Sequence, residues 1–436
     1  MMKNYIELFF MILVALTANG SWANSQPSVY ELYLRALQYD DSYLDAVSEL
    51  NIERLDLDSL RTKLYPSITS SVYRTETQSD TKGPQQSVTS DGRYSSDGFQ
   101  VNVNQVIYDP ALLNQLDSYQ LLTLSIKNKI ISAENDLILK VANGYWSLML
   151  AQQAVLEEKK KSELQKMLLD LANEQHSRGL ISISELNQLA SDNLEQDYQT
   201  TLAAINLDVT RGDLFQLTLW EGQANTITST SCPLAGDLDK PAADYLNQAI
   251  LGNTQLNTWR HELNAYQKER DSKKSAYYPK LNLSADYSNT DQTGGSFDGS
   301  QTNRTQLKVS LDWPIYLGGQ RYVDVKKSTY RLATQQRKIE LFVPKLKQKL
   351  KLLSMRLKTG KRNLEKIKLA VEISNQKYQI TLKELQAGSV TQADVLQEDV
   401  RVAQLTTKKI SACKDQFLNQ LEFFKLLGAL DAKRLD

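Results

Sequence analysis

The chain has 436 residues, with 51 basic and 51 acidic side chains and so no net charge. That balance excludes a strongly basic nucleic-acid surface, and no nucleic-acid partner is expected. Its two cysteines, Cys232 and Cys413, exclude a disulfide-dense scaffold, while one bridge remains open to it in an oxidising compartment. The motifs of hydrolases, P-loop enzymes, zinc proteases and dithiol oxidoreductases are missing, so no catalytic residue and no cofactor is expected. His176 and His261, the only histidines, give no basis for a metal site.

In chain order, residues 1–23 read as a secretory leader. Lys3 supplies the positive start, Leu8 to Ala18 the short apolar core, and Ser21-Trp22-Ala23 the small residues before cleavage. No later segment has the roughly 20 apolar residues of a membrane-spanning helix, so any crossing must use strands. A helical run from Val29 to Leu64 ends at Tyr65-Pro66, because proline disfavours helix in the residue before it. A strand is expected over Ser67 to Thr75, then a polar loop from Arg74 to Gly98. In the next strand Phe99, Val101 and Val103 alternate with Gln100, Asn102 and Asn104. Helix-forming sequence then runs from about Ala111 to Ser177, turns at Gly179 and returns over Ser184 to Gln216. Uninterrupted helix of that length implies coiled-coil packing. The stretch 217–241, with Gly222 and Cys232-Pro233, reads as a connector.

The same grammar then repeats. A helical run from Tyr245 to Ala276 ends at Tyr278-Pro279. Leu281, Leu283, Ala285 and Tyr287 alternate with polar residues, as do Leu307, Val309, Leu311 and Trp313 after a loop from Asn289 to Arg304. A second long helix spans Arg321 to Gln386 with Pro344 inside it, where a local bend is expected. It turns at Gly388 and returns over Ala393 to Leu427. Matched landmarks in one order mark an internal duplication, with copies at 24–216 and 242–436 about the connector 217–241. Strands of this period present apolar side chains outward and polar ones inward, as membrane barrels do. A half-buried soluble sheet has the same alternation. Four strands cannot close a membrane barrel, which needs at least eight, so a barrel would be shared by several chains.

In the paired Tyr-Pro strand starts and the Ile107-Tyr108 and Ile315-Tyr316 strand ends, the chain resembles the TolC family of outer-membrane efflux and type I secretion channels. The turns at Gly179 and Gly388, followed by Glu185-Leu186 and Asp394-Val395-Leu396, complete the likeness. The resemblance implies a mainly α fold with a membrane β part: a homotrimer whose twelve-stranded barrel, four strands per chain, continues as a long periplasmic α-helical barrel. The connector would fall in an equatorial belt. Implied partners are outer-membrane lipid, a periplasmic adaptor and an inner-membrane ABC or proton-driven pump. Asp394 matches the family's acidic ring at the periplasmic gate. Gln397 stands where a second acid is frequent, with Glu398 beside it as a substitute. Glu185 holds the equivalent place in the first copy, but Val390 replaces the arginine that would latch it. Adaptor docking is expected at Gly179, Leu180, Gly388 and Ser389. Tyr287, Trp313 and Tyr316, at strand ends, are candidates for an interfacial aromatic belt. Cys232 and Cys413 are a candidate bridge if the connector straps across the last helix. The alternative is a soluble or surface coiled-coil scaffold without a channel.

Overall fold

The structure, a computed structural model, describes residues 27–81, 90–220, 232, 242–294 and 299–435. The leader expectation and most of the connector lie outside the described residues.

Two helices come first among the described residues: α1 (Val29–Ala36) and α2 (Asp41–Thr62). Ser28 caps α1 reciprocally with Glu31. The single run expected over Val29 to Leu64 is thus divided, and Asp40 marks the break by accepting a hydrogen bond from the Tyr43 amide at 2.9 Å. Next come β1 (Ser67–Thr81), β2 (Ser90–Tyr108), α3 (Pro110–Ser177) and α4 (Ile183–Thr218). The order then recurs: α5 (Ala242–Gly252), α6 (Thr254–Ser275), β3 (Lys280–Thr293), β4 (Ser300–Asp312), α7 (Gln320–Gln386) and α8 (Gln392–Leu427). The second pre-strand run is likewise divided, at Asn253. Helix α7 is continuous through Pro344.

The strands form one antiparallel sheet in the order β1-β2-β3-β4, which leaves β1 and β4 as open edges. They are longer than the sequence pattern implied. Residues 74–81, 90–98, 289–293 and 300–304, expected as loop, are paired strand. These ends are polar on both sides, so they carry hydrogen-bonded ladders without the alternation that marks a strand in sequence.

By compactness the chain forms two units, 1–44 with 132–253 and 346–436, and 45–131 with 254–345. Each draws on both copies of the duplication. In the second unit Leu57 and Leu60 of α2 pack with Leu112 and Leu116 of α3. In the first, Leu32 and Tyr33 of α1 share a core with Leu137, Trp146 and Met149 of α3 and Phe417 and Leu421 of α8. The Trp146 and Phe417 rings lie 6.0 Å apart. Burying large apolar side chains in this way is the dominant favourable term, about 1.5–3 kcal/mol each.

Within that first unit the long helices stand side by side in the order α4, α3, α8, α7. Ser162 of α3 donates to Asp197 of α4 at 2.9 Å, and Gln196 of α4 donates to Glu158 of α3 at 2.7 Å. Lys160 of α3 meets Asp399 of α8 at 2.6 Å, and Lys414 of α8 donates to Ser147 of α3 at 2.7 Å. Lys349 of α7 pairs with Glu422 of α8 at 2.6 Å.

Candidate functional site

Register decides what each face of the sheet presents. Ile68 stands opposite Val103, Val103 opposite Ala285, and Ala285 opposite Leu307. Val101 stands opposite Tyr287, and Leu283 opposite Val309. One face is therefore a continuous apolar band across all four strands. Its β4 members Leu307, Val309 and Leu311 are 73, 65 and 65% exposed. The opposite face carries Gln100, Asn102, Asn104, Asn282, Ser284, Lys308 and Ser310. A half-buried soluble sheet covers its apolar face with protein. Here the inner strands are half-buried by their neighbours, while Ile68 and Val72 of β1, Phe99 of β2 and Tyr287 of β3 are exposed along with the β4 members.

The band has borders. Near the ends of the strands adjoining α3 and α7, Tyr65, Tyr108, Tyr278, Trp313 and Tyr316 are all exposed. The Trp313 Nε1 donates to the Tyr277 carbonyl at 3.0 Å, and the Arg321 guanidinium lies 5.2 Å from the Tyr277 ring centre. Trp313 and Tyr316 follow β4 as expected. Tyr287 does not sit near a strand end; it is in the middle of β3. On β3 the next residue of that face is Asn289, while Phe99 of β2 and Val72 of β1 carry the apolar band one row further. Tyr65, Tyr108 and Tyr278 share this exposed position, which their Tyr-Pro and Ile-Tyr contexts in the sequence mark only as strand boundaries. On the polar face, the Tyr73 ring lies against Gly98, where any Cβ would collide with it. The Tyr73 hydroxyl is 3.2 Å from the Thr290 Oγ1.

Strand and helix are joined firmly. Asp109 caps α3 by accepting from the Ala111 and Leu112 amides at 3.0 and 3.1 Å, and it also receives Lys280 of β3 at 2.6 Å.

The helical tips repeat one another. Gly179 and Gly388 both have φ of 74°, in the left-handed region that disfavours a side chain. Leu180 and Ser389 amides reach back to the Gln175 and Glu384 carbonyls at 2.9 and 3.0 Å, closing the same C-terminal helix motif twice. Leu180 is 70% exposed, and Ser389 donates its hydroxyl to the Glu384 carbonyl at 3.0 Å. His176 donates a ring N–H to the Ile181 carbonyl at 3.1 Å, so it is engaged in the turn. Among the described residues no cluster of three metal-ligating side chains occurs.

Both acids just past the turns lie in capped first turns, and the Asp394 carboxylate itself takes part in the cap. Thr391 is the N-cap of α8. Its amide donates to the Asp394 carboxylate at 2.8 Å, its hydroxyl at 2.7 Å, and the Asp394 amide returns a bond to the Thr391 hydroxyl at 3.3 Å. The Thr391 hydroxyl, and then its amide, hold the Asp394 carboxyl below the ordinary aspartate value. Ser182 caps α4 by accepting from the Glu185 amide at 3.2 Å. The spacings Ser182-x-x-Glu185 and Thr391-x-x-Asp394 were capping signals already legible in sequence. Asp394 and Gln397 are both exposed. Glu398 is partly buried, and Lys377 of α7 draws its carboxylate across the hairpin at 2.5 Å.

Cys232 is bonded to Cys413 of α8, with Cα atoms 5.6 Å apart. Cys413 belongs to the core of the first unit, and Cys232 packs against that core.

Comparisons with known proteins agree with this arrangement. Residues 245–429 match the sequence profile of the outer membrane efflux protein family. Outer membrane protein TolC of Vibrio cholerae is 19% identical over 434 residues, covering 98% of this chain and 96% of that protein. The Campylobacter jejuni CmeC outer membrane channel superposes with a TM-score of 0.75 at 14% identity, covering 95% of this chain and 92% of CmeC. The outer membrane protein VceC of Vibrio cholerae gives 0.69 at 15% identity, covering 92% and 96%. The chain has the fold of these channels, and its residues 245–429 carry the profile of the outer membrane efflux protein family, a family of channels and not of enzymes.

Proposed function

We propose that three copies of this chain build one exit duct, a twelve-stranded barrel in the outer membrane continued by helices into the periplasm. The outer-membrane exit role is that of the family. The observation that carries the shared barrel is the four-stranded sheet with an apolar band across its width, exposed at Ile68 of β1 and along β4, and two unpaired edges. In lipid, unpaired edge groups are strongly unfavourable, and the edges of neighbouring copies satisfy one another. The chemistry is passive: the polar face of the sheet lines a wet conduit, and energy comes from an inner-membrane ABC or proton-driven pump reached through a periplasmic adaptor. The tips around Gly179, Leu180, Gly388 and Ser389 are the docking points for that adaptor. Asp394 from three copies forms the acidic constriction, with Glu185 beside it. The cargo is a secreted protein or a drug.

Reconstitution tests the duct. Purified protein should need detergent and should raise the conductance of a planar bilayer. A protein that stays monodisperse in water and leaves the bilayer silent is a coiled-coil scaffold instead. Profiling secreted proteins and drug sensitivity after gene deletion separates the two cargo classes.

A further inference from the structure

Charge is distributed very unevenly over a chain whose net charge is zero. Helix α4 carries six acids and a single cation, Arg211. The part of α7 in the same compact unit, residues 346–386, carries eleven lysines and arginines and three acids. These two helices are the outer members of the row α4, α3, α8, α7, so the row has one acidic and one basic flank.

Each flank also carries apolar residues left bare. On α4, Leu194, Tyr198, Ile205 and Val209 are 70, 60, 55 and 55% exposed, spaced as one helix face. On α7, Leu369 and Ile373 are both 56% exposed. They form a seam separate from Leu350, Leu353, Leu357 and Leu364, which are buried. The seams correspond in height. Leu194 and Ile373 are each fifteen residues from their own tip glycine, Gly179 or Gly388, and Tyr198 and Leu369 are each nineteen. Counted the same way, Asp208 lies at the level of Lys358 to Arg362. One helix leaves its tip and the other approaches its tip, so the two would run antiparallel with these levels in register.

We propose that the basic α7 flank of one copy docks on the acidic α4 flank of the next, with apolar seams meeting at the centre and opposite charges at the sides. The occupant of each flank is a second copy of this chain. The contact is head-to-tail, because the two surfaces differ, and repeating it closes a ring when the rotation per copy allows. The inference rests on the shared-barrel reading and adds to it a charge-matched surface that selects the partner helix. Opposite charges at such an interface accelerate encounter and suppress wrong pairings, and salt screens them.

The test follows refolding of the full chain into trimers in detergent, with yield and rate read by native gel and light scattering. Glu195→Lys, Asp208→Lys and Asp213→Lys together should cut the rate of trimer formation about tenfold or more at low salt, within the range of electrostatic steering. Adding Lys358→Glu, Arg362→Glu and Lys366→Glu to the same chain should restore it. An unchanged rate in the first variant overturns the proposal, as does a loss that the compensating changes do not rescue. A wild-type chain that stays monomeric under every condition overturns the shared-barrel reading itself. As a second measurement, Leu194→Cys with Ile373→Cys should give interchain cross-links that Leu194→Cys with Met355→Cys does not. Equal cross-linking in both pairs contradicts the register.

Discussion

At the scale of single residues, Asp394 is subject to two opposed effects. The Thr391 hydroxyl and amide hold its carboxyl below the ordinary value, whereas convergence of three carboxylates at a constriction raises it. Infrared difference spectra of assembled protein, with Asp394→Asn as the subtraction, give the sign. A raised value is expected if Asp394 forms the constriction; a value still depressed means that the cap dominates and the narrow point lies elsewhere. The linkage within one chain is definite. The folded-state value is lowered, so the cap contributes fully above the ordinary aspartate range. It is lost as pH falls through the depressed value. Thr391→Ala removes the hydroxyl at neutral pH and should destabilise the start of α8 by about 1 kcal/mol. Faster amide exchange confined to its first turn would show this, and unaltered exchange would contradict it. Both capping partners were readable in the sequence by spacing alone. The Glu398 pairing with Lys377 was not, because it depends on how α7 and α8 face one another.

Among the elements, the sheet makes the sharpest distinction. Val309→Arg places a charge on the exposed apolar band, at a cost of about 2–4 kcal/mol near the bilayer midplane. Ser310→Arg places the same charge on the polar face and should be tolerated. Membrane-inserted yield should therefore fall for the first and hold for the second, and equal yields would contradict the assignment of faces. The helical core has its own test. Phe417→Ala leaves a hole against Trp146 and should cost about 3–5 kcal/mol in denaturant unfolding. The strands were legible in sequence only where one side meets lipid. Residues 74–81 and 90–98 are paired strand whose two sides are both polar, and nothing in their periodicity separates that from loop. The breaks at Asp40 and Asn253 escaped for a related reason, since no proline or glycine pair marks them. The long helices were plain because length and the lack of breakers survive any tertiary context.

For the whole molecule, the duplication, the four strands and the hairpins could be read directly, whereas the compact units could not. Each unit joins segments from both copies, so it is defined by contacts of high sequence separation. The Cys232–Cys413 bond has the same character, closing a separation of 181 residues. A link of that span is expected to add about 2–5 kcal/mol by constraining the unfolded chain. Reduction should lower the unfolding midpoint, and non-reducing peptide mapping should recover the linked peptides; complete thiol labelling of unreduced, unfolded protein would contradict the bond. Assembly carries the central claim, because a sheet with two open edges and an exposed apolar band has no stable existence alone in lipid. Native mass spectrometry of protein released from detergent micelles tests it most directly. The account predicts a single species of three chains, and a stable single chain that keeps its strands would contradict it.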